Sequence, residues 1–195
     1  MCYPHKKVAV WFLTYRIGMS LPVFLTVSGS LRAGSFNTAI LEHFSQFASA
    51  KANVVRTDAV GQLPLYNQDL DTDTPPAVVA AARAEIAASD CVVVATPEYN
   101  YGIPGPLKNW FDWMSRPYGA HVFLGKKVFI IGSAPSPRGG KNAVEYLRLG
   151  FTAIQAVVVG DEVLLPNIHE TLNATKSGDD ATLTTLFAHI LESCQ

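Results

Sequence analysis

The chain has 195 residues, a length that suits a single domain with a substantial hydrophobic core. Hydrophobic residues make up 49% of the chain and charged residues 16%, a composition that excludes an intrinsically disordered protein. The formal net charge is −1 and charges of one sign do not cluster, so we expect no nucleic-acid-binding surface.

The first twenty residues differ from the rest of the chain. Two lysines precede an apolar run at 8–15, as in a signal peptide, but the run is short and no small-residue cleavage site follows it. The run is also too short to span a bilayer. We therefore expect residues 1–20 to form a poorly ordered extension, with Met19 as an alternative start, and residues 21–195 to form one domain.

Cysteines and histidines show no metal-binding pattern. Cys2, Cys91 and Cys194 lack the spacing of metal ligands, and the five histidines are scattered. We therefore expect no metal site. Free thiols in a reducing compartment are the simplest interpretation of the cysteines, which indicates a cytoplasmic protein.

After residue 20, short β-branched runs alternate with longer stretches of helical periodicity. In the first half of the chain the pattern predicts a strand at 23–27, a helix at 37–51, a strand at 53–57, a loop at 61–74 and a helix at 75–88. In the second half it predicts a strand at 91–95, a helix at 107–115, a strand at 127–131 and a helix at 142–151. A strand at 156–159, which could extend to 162–165, and a helix at 180–192 complete the chain. Strands that are apolar on both faces are typical of a parallel α/β sheet covered by helices on both sides.

Three of these strands run into loops rich in glycine, serine or proline. The loops follow Val27, Ala95 and Ile131. Because the carboxyl ends of parallel strands meet at one edge of a sheet, we expect the three loops to form a common binding site there.

The first of these loops, SGSLRAGSFN at 28–37, has the composition of an anion-binding loop. Its serine hydroxyls, Arg32 and the start of the following helix could all donate hydrogen bonds to a phosphate. Ser35 stands where a triphosphate-binding loop needs lysine, and the glycines of the dinucleotide fingerprint are absent. The loop therefore fits a phosphate monoester, or else it is only a serine-rich turn that caps a helix.

The second loop and the helix after it, TPEYNYGIPGPLKNWFDWMSR at 96–116, resemble the signature of the NADPH-dependent FMN reductase family. The loop at 28–37 is similar to the family's FMN-phosphate loop, and LPLYNQDLD at 63–71 to the segment between them. The resemblance implies a flavodoxin-like three-layer sandwich with a five-stranded parallel sheet. It also implies an oxidoreductase that passes electrons from NADPH or NADH through non-covalently bound FMN to a quinone, flavin, azo compound or chromate.

The resemblance also implies roles for individual residues. The FMN phosphate would be held by Ser30, Arg32, Ser35, Phe36 and Asn37. The isoalloxazine ring would be lined, largely through main-chain atoms, by Pro97, Glu98, Tyr99 and Asn100. Ser133 would contact the polar edge of the ring or the ribityl chain. No side chain is expected to be catalytic, because the flavin carries the chemistry. Glu98 is expected to fix the turn or to pair across a subunit interface rather than to act as a base.

Family members usually form dimers or tetramers, so a homodimer or homotetramer is expected, with the aromatic stretch Trp110–Trp113 as a contact surface. Small-molecule electron acceptors are the expected partners, without nucleic acid or membrane. Two other functions remain open: a flavodoxin-type electron carrier with no NAD(P)H oxidase activity, and a binding or sensor protein that holds a different anion.

Overall fold

The computed structural model describes residues 20–174 and 180–194 of the chain. Apart from Ser20, the predicted extension over 1–20 lies outside the described residues. The strands are β1 (Val23–Ser28), β2 (Asn53–Arg56), β3 (Cys91–Thr96), β4 (Lys127–Ser133), β5 (Val157–Val158) and β6 (Val163–Leu165). The helices are α1 (Phe36–Ala48), α2 (Ala77–Ala88), α3 (Gly105–Met114), α4 (Lys141–Ala153), α5 (Ile168–Ala174) and α6 (Ala181–Ser193).

The strands form one parallel sheet in the order β2-β1-β3-β4-β5, with β6 also paired to β4. The predicted α/β fold with a flavodoxin-like sheet is therefore confirmed. The predicted last strand is divided in two: β5 pairs with the start of β4 and β6 with its end. Gly160 lies between them with a φ of 73°, a left-handed conformation that interrupts an extended strand.

Helices cover both faces of the sheet, because neighbouring residues of each buried strand point to opposite sides. In β3, Val92 and Val94 pack in one core with α2, α3 and α4. Val93 and Ala95 pack in the other core with α1, α5 and α6. This alternation explains why the strand sequences are apolar throughout. Among the described residues, no helix has the length and hydrophobicity that a membrane span requires.

The aromatic residues of α3 belong to the core of the domain. Trp110 and Trp113 are fully buried and Phe111 is 9% exposed. Trp110 packs edge-on against Phe123, and Phe111 against Phe151 of α4, with ring centroids 5.6 and 5.0 Å apart. The prediction that this stretch forms a subunit contact is therefore wrong, because the sheet and α4 already cover these side chains.

Cys91 and Cys194 form a disulfide bond, which the sequence did not predict. Their Cα atoms lie 5.9 Å apart although 103 positions separate them in the chain. This Cα separation is typical of a disulfide. The bond joins the start of β3 to the residue that follows α6, so the expectation of free thiols at these two positions is wrong in this structure.

Candidate functional site

The three predicted loops begin at the same edge of the sheet. The strand register pairs Ser28 with Ala95, and Thr96 with Gly132. The Gly29 N–H donates to the carbonyl of Ala95 at 2.8 Å. A Cβ atom on Gly29 would lie 2.8 Å from Thr96 Oγ1, so this close approach of the first two loops requires glycine. The predicted convergence of the loops is confirmed.

The serines of the first loop hold its backbone in shape. Ser28 Oγ lies 2.9 Å from Thr38 Oγ1 and accepts from the Ser30 N–H at 3.3 Å. Ser30 Oγ accepts from the Arg32 N–H at 3.4 Å, and Ser35 Oγ accepts from the Thr38 N–H at 3.3 Å. Ser35 is thus the N-cap of α1. The Ser28 hydroxyl also donates to the Ser30 carbonyl at 3.2 Å, whereas the hydroxyl hydrogens of Ser30 and Ser35 have no acceptor among the described residues.

Several backbone N–H groups of this loop remain available for an anion. Within the described residues, five of them have no hydrogen-bond partner: those of Leu31, Ala33, Gly34, Phe36 and Asn37. The last two belong to the first turn of α1, where the helix dipole favours negative charge. The arrangement fits a phosphate group.

Arg32 adds a positive charge to this loop. Its guanidinium has no acidic partner among the described residues, and its Cζ lies 5.7 Å from the centre of the Phe36 ring. A cleft of about 350 Å³ beside the loop is lined by Arg32 and also by Arg56. Arg56 is paired with Glu42 and Asp58, so Arg32 is the cation that is free to meet a phosphate.

The second loop folds into a tight two-residue turn. Tyr99 and Gly102 exchange backbone hydrogen bonds of 2.9 and 3.0 Å. Asn100 and Tyr101, between them, have φ angles of 50° and 63°. Asparagine tolerates this left-handed conformation, but tyrosine adopts it at a cost, and such strain concentrates at binding sites. The turn leaves Tyr99 50% exposed and Tyr101 74% exposed at the edge of the sheet.

The main chain of this loop has donors that a flat ring could use. Within the described residues the N–H groups of Glu98 and Asn100 have no partner, whereas the Tyr99 N–H is used by the turn. The Pro97 carbonyl accepts from Thr96 Oγ1 at 2.9 Å, which fixes the start of the loop. Two free donors on a rigid backbone suit the polar edge of a heterocycle.

Glu98 connects the second loop to the third. Its carboxylate accepts from the backbone N–H of Asn142 at 2.8 Å and from Asn142 Nδ2 at 2.9 Å. Arg138 lies 3.9 Å from the same carboxylate and 5.0 Å from the centre of the Tyr101 ring. The carboxylate therefore sits at the N-terminus of α4, where negative charge is favourable. Asn142 was not identified from the sequence, although Gly139 and Gly140 directly before α4 mark that helix start.

Asn37 and Ser133, which were assigned separate roles, are in direct contact. Ser133 Oγ donates to Asn37 Oδ1 at 2.9 Å across 96 positions of sequence. Both residues are buried, at 1% exposure for Ser133 and 3% for Asn37. The Ser133 hydroxyl hydrogen is therefore committed to Asn37. The structure thus brings all ten predicted site residues to the edge formed by the three loops.

Residues 23–170 match the model of the family described as NADPH-dependent FMN reductase. The chain belongs to this family. The resemblance inferred from the two loop motifs is therefore confirmed. The NADPH-dependent FMN reductase match runs from β1 to the first residues of α5 and includes the three loops.

The curated proteins that this chain resembles include several named as quinone reductases. The chain is 38% identical over 122 residues to a quinone reductase of Pseudomonas putida. The match covers 63% of this chain and 65% of that protein, so the chain spans slightly less than two thirds of this relative's length. It is 41% identical over 130 residues to a 2-hydroxy-1,4-benzoquinone reductase of a Burkholderia species, covering 67% and 69%. A quinone reductase of Escherichia coli is 37% identical over 136 residues, covering 69% and 72%.

Solved structures show the same fold. FerB, a flavoenzyme NAD(P)H:(acceptor) oxidoreductase from Paracoccus denitrificans, superposes with a TM-score of 0.73 at 25% identity, covering 89% of this chain and 97% of that one. A point mutant of flavodoxin from Pseudomonas aeruginosa gives a TM-score of 0.56 at 16% identity, covering 86% and 97%. The latter similarity supports the fold alone.

Close packing joins α3 to α4 at Phe111. A Cβ atom on Gly150 of α4 would lie 3.2 Å from Phe111 Cζ, so a glycine leaves room for the Phe111 ring. Trp110 packs instead against Phe123.

Proposed function

We propose that this protein takes electrons from NADPH or NADH and passes them, through non-covalently bound FMN, to a small-molecule acceptor such as a quinone. The observation that carries the proposal is the first loop, which offers five unpartnered backbone N–H groups and an unpaired arginine at one edge of the sheet, within the described part of the chain. The names of the quinone reductase relatives support a quinone as acceptor. Flavins, azo compounds and chromate are further candidate acceptors.

The residues at the sheet edge fit FMN. The phosphate is held by the backbone N–H groups of Phe36 and Asn37, the guanidinium of Arg32, and the hydroxyls of Ser30 and Ser35. Pro97, Glu98, Tyr99 and Asn100 line the ring, with the free N–H groups of Glu98 and Asn100 as donors to its polar edge. Such donors need no reorganisation because the Tyr99–Gly102 turn fixes the backbone.

FMN, when bound, supplies hydride acceptance and electron release. The protein's own residues supply binding, orientation and electrostatic support, so no side chain has to act as acid or base for the hydride. Tyr99 and Tyr101 offer exposed aromatic surface on which a planar substrate can lie. Arg138, held beside Tyr101, places a positive charge at the same turn.

Cofactor loading and anaerobic reduction test this proposal. Purified protein mixed with FMN and freed of excess flavin is expected to be yellow, to bleach when NADPH or NADH is added without oxygen, and to recover its colour when benzoquinone follows. A protein that retains no flavin contradicts the proposal. Bound flavin that neither nucleotide reduces would instead support a flavodoxin-type electron carrier. A panel of both nucleotides against several acceptors then defines the preferences.

We propose in addition a homodimer or homotetramer, located in the cytoplasm. The candidate contact residues are exposed apolar side chains such as Tyr101 at the second loop, 74% exposed, and Leu149 on α4, 73% exposed. Sedimentation at micromolar concentration tests it, and a monomer contradicts it. Cell fractionation tests the proposed location.

A further inference from the structure

Within the described residues, the side-chain amide of Asn37 has a hydrogen-bond partner for its oxygen but none for its nitrogen. Its oxygen accepts from the Ser133 hydroxyl at 2.9 Å. Its nitrogen has no hydrogen-bond partner among the described residues, although the side chain is 3% exposed. Because this nitrogen has no partner and yet is not one of the fully buried polar atoms, it is open to the surface of the site, where a polar group from outside the chain can bind it.

The position of Asn37 indicates what that group is. Asn37 lies in the first turn of α1, and its own backbone N–H is among the five that have no partner within the described residues. An amide nitrogen beside free backbone N–H groups at a helix N-terminus faces an environment that selects an anion. The amide oxygen in the same place would repel that anion.

The orientation of the amide therefore matters, and Ser133 is the residue that controls it. An asparagine amide presents an acceptor on one side and two donors on the other. With its hydroxyl hydrogen directed at the oxygen, Ser133 holds the acceptor side toward the end of β4 and leaves the donor side for the ligand. Ser133 itself is 1% exposed, so its hydroxyl hydrogen gains its acceptor from Asn37 and not from solvent.

We propose that Ser133 is a positioning residue: its hydroxyl orients the Asn37 amide so that the amide nitrogen meets the FMN phosphate. This inference rests on the proposed FMN site. It assigns Ser133 to the phosphate end of the cofactor instead of the ring or the ribityl chain. The Ser133–Asn37 pair thereby makes the site prefer FMN over riboflavin, which has the same ring and ribityl chain but no phosphate.

Binding of the two flavins separates this role from the alternatives. The full chain, freed of flavin by dialysis, is titrated with FMN and with riboflavin while flavin fluorescence is followed. The Ser133→Ala substitution is expected to weaken FMN binding about tenfold, because the phosphate loses a well-oriented donor. Riboflavin binding should weaken by less than about twofold. The FMN-to-riboflavin affinity ratio is the readout, since a general loosening of the site would weaken both flavins equally.

Two further variants make the test specific. Ser89→Ala removes a hydroxyl that is equally buried, at 3% exposure, but bonded to the Ile86 carbonyl at the opposite end of the sheet, so the affinity ratio should not change. In an Asn37→Ala background, adding Ser133→Ala should change FMN affinity by less than about twofold, because the hydroxyl acts only through the amide. If circular dichroism shows that Ser133→Ala does not fold, Ser133→Cys replaces it. Cysteine is a weaker donor of similar shape, so this variant should lower the FMN-to-riboflavin affinity ratio by a smaller factor.

The possible failures are distinguishable. If the unmodified protein binds neither flavin, the proposed function fails and the role of Ser133 with it. If it binds FMN but Ser133→Ala weakens both flavins equally, or leaves the ratio unchanged, the proposed function stands and the positioning role is overturned. Additive effects of Ser133→Ala and Asn37→Ala overturn the positioning role as well.

Discussion

Glu98 has two hydrogen bonds to Asn142, one from the backbone N–H and one from the side-chain amide. An acid or base that exchanges protons with a substrate needs a free oxygen, whereas both oxygens of this carboxylate are engaged. The bonds connect the loop that presents the Tyr99–Gly102 turn with the start of α4. At the scale of single residues, the structure therefore favours a role for Glu98 in joining two loops of the site.

Replacing Glu98→Gln tests this role. The variant puts an amide NH2 group where Asn142 needs an acceptor, so we expect the free energy of unfolding to fall by about 1–3 kcal/mol and FMN affinity to fall several-fold. The pH profile of flavin reduction should keep its shape. Urea unfolding, FMN titration and stopped-flow reduction measure these quantities.

Asn142→Ala is the matched control for Glu98→Gln. It leaves the carboxylate and the backbone hydrogen bond in place and removes only the side-chain donor, so a smaller effect of the same kind is expected, about 1 kcal/mol in stability. A base would behave differently. Loss of reduction by more than about a hundredfold in Glu98→Gln at saturating FMN, with full activity in Asn142→Ala, would show that Glu98 takes part in the chemistry.

At the scale of elements, the segment between β2 and α2 contains two short 3₁₀ helices, at Ala59–Gly61 and Gln68–Leu70, and side chains of α3 hold the part between them. Asn109 of α3 accepts from the Tyr66 N–H at 2.7 Å and donates to the Pro64 carbonyl at 2.9 Å. One turn later, Trp113 Nε1 donates to the same carbonyl at 2.8 Å. A long loop of this kind keeps one conformation because α3 satisfies its backbone groups.

Asn109→Ala should release this segment. The Tyr66 N–H loses its acceptor, and the Pro64 carbonyl keeps only the bond from Trp113 Nε1. We therefore expect the free energy of unfolding to fall by about 2 kcal/mol and protease cleavage within 63–71 to accelerate. Lys108→Ala on the same helix is the matched control. Lys108 pairs with Asp112 near the surface, with side chains 41% and 33% exposed, and its loss should cost about 0.5 kcal/mol or less. Equal cleavage rates in the two variants would contradict the proposed anchoring.

Sequence periodicity located the strands and long helices well because burial on both faces leaves a local signal. The break at Gly160 and the seven-residue helix α5 were not predicted, since short elements carry too few residues to show a period. The burial of Trp110 and Trp113 was also misjudged. Helical spacing shows that two residues share a face, but it does not show whether that face meets the sheet or another subunit.

For the candidate site, the sequence predicted which segments meet but not which side chains contact each other. Loop motifs identified which segments meet at the sheet edge, and parallel topology explains why they meet there. The contacts from Ser133 to Asn37 and from Glu98 to Asn142 were not predictable, because they join residues 96 and 44 positions apart. The Cys91–Cys194 bond likewise joins residues that are distant in sequence, 103 positions apart.

At the scale of the whole molecule, stability depends on two cores and on the groups buried beside them. His121, between α3 and β4, is 7% exposed, and its Nδ1 atom has no hydrogen-bond partner in the described part of the chain. Burial lowers the pKa of His121 below its ordinary value of 6.5. The folded protein thus holds this imidazole neutral under conditions in which the unfolded chain protonates it.

This difference predicts how stability changes with pH. Well above pH 6.5 the ring is neutral in both states and its protonation contributes nothing. As the pH falls through that value, the unfolded chain binds a proton that the folded protein does not, so the free energy of unfolding decreases. Between about pH 7.5 and about pH 5.5 the protein should lose more stability than the His121→Gln variant does, measured by urea unfolding at both pH values. Because the variant retains all other titrating groups, the difference between the two pH slopes isolates His121. Parallel slopes, or a protein that gains stability relative to the variant on acidification, would show that the buried ring does not resist protonation.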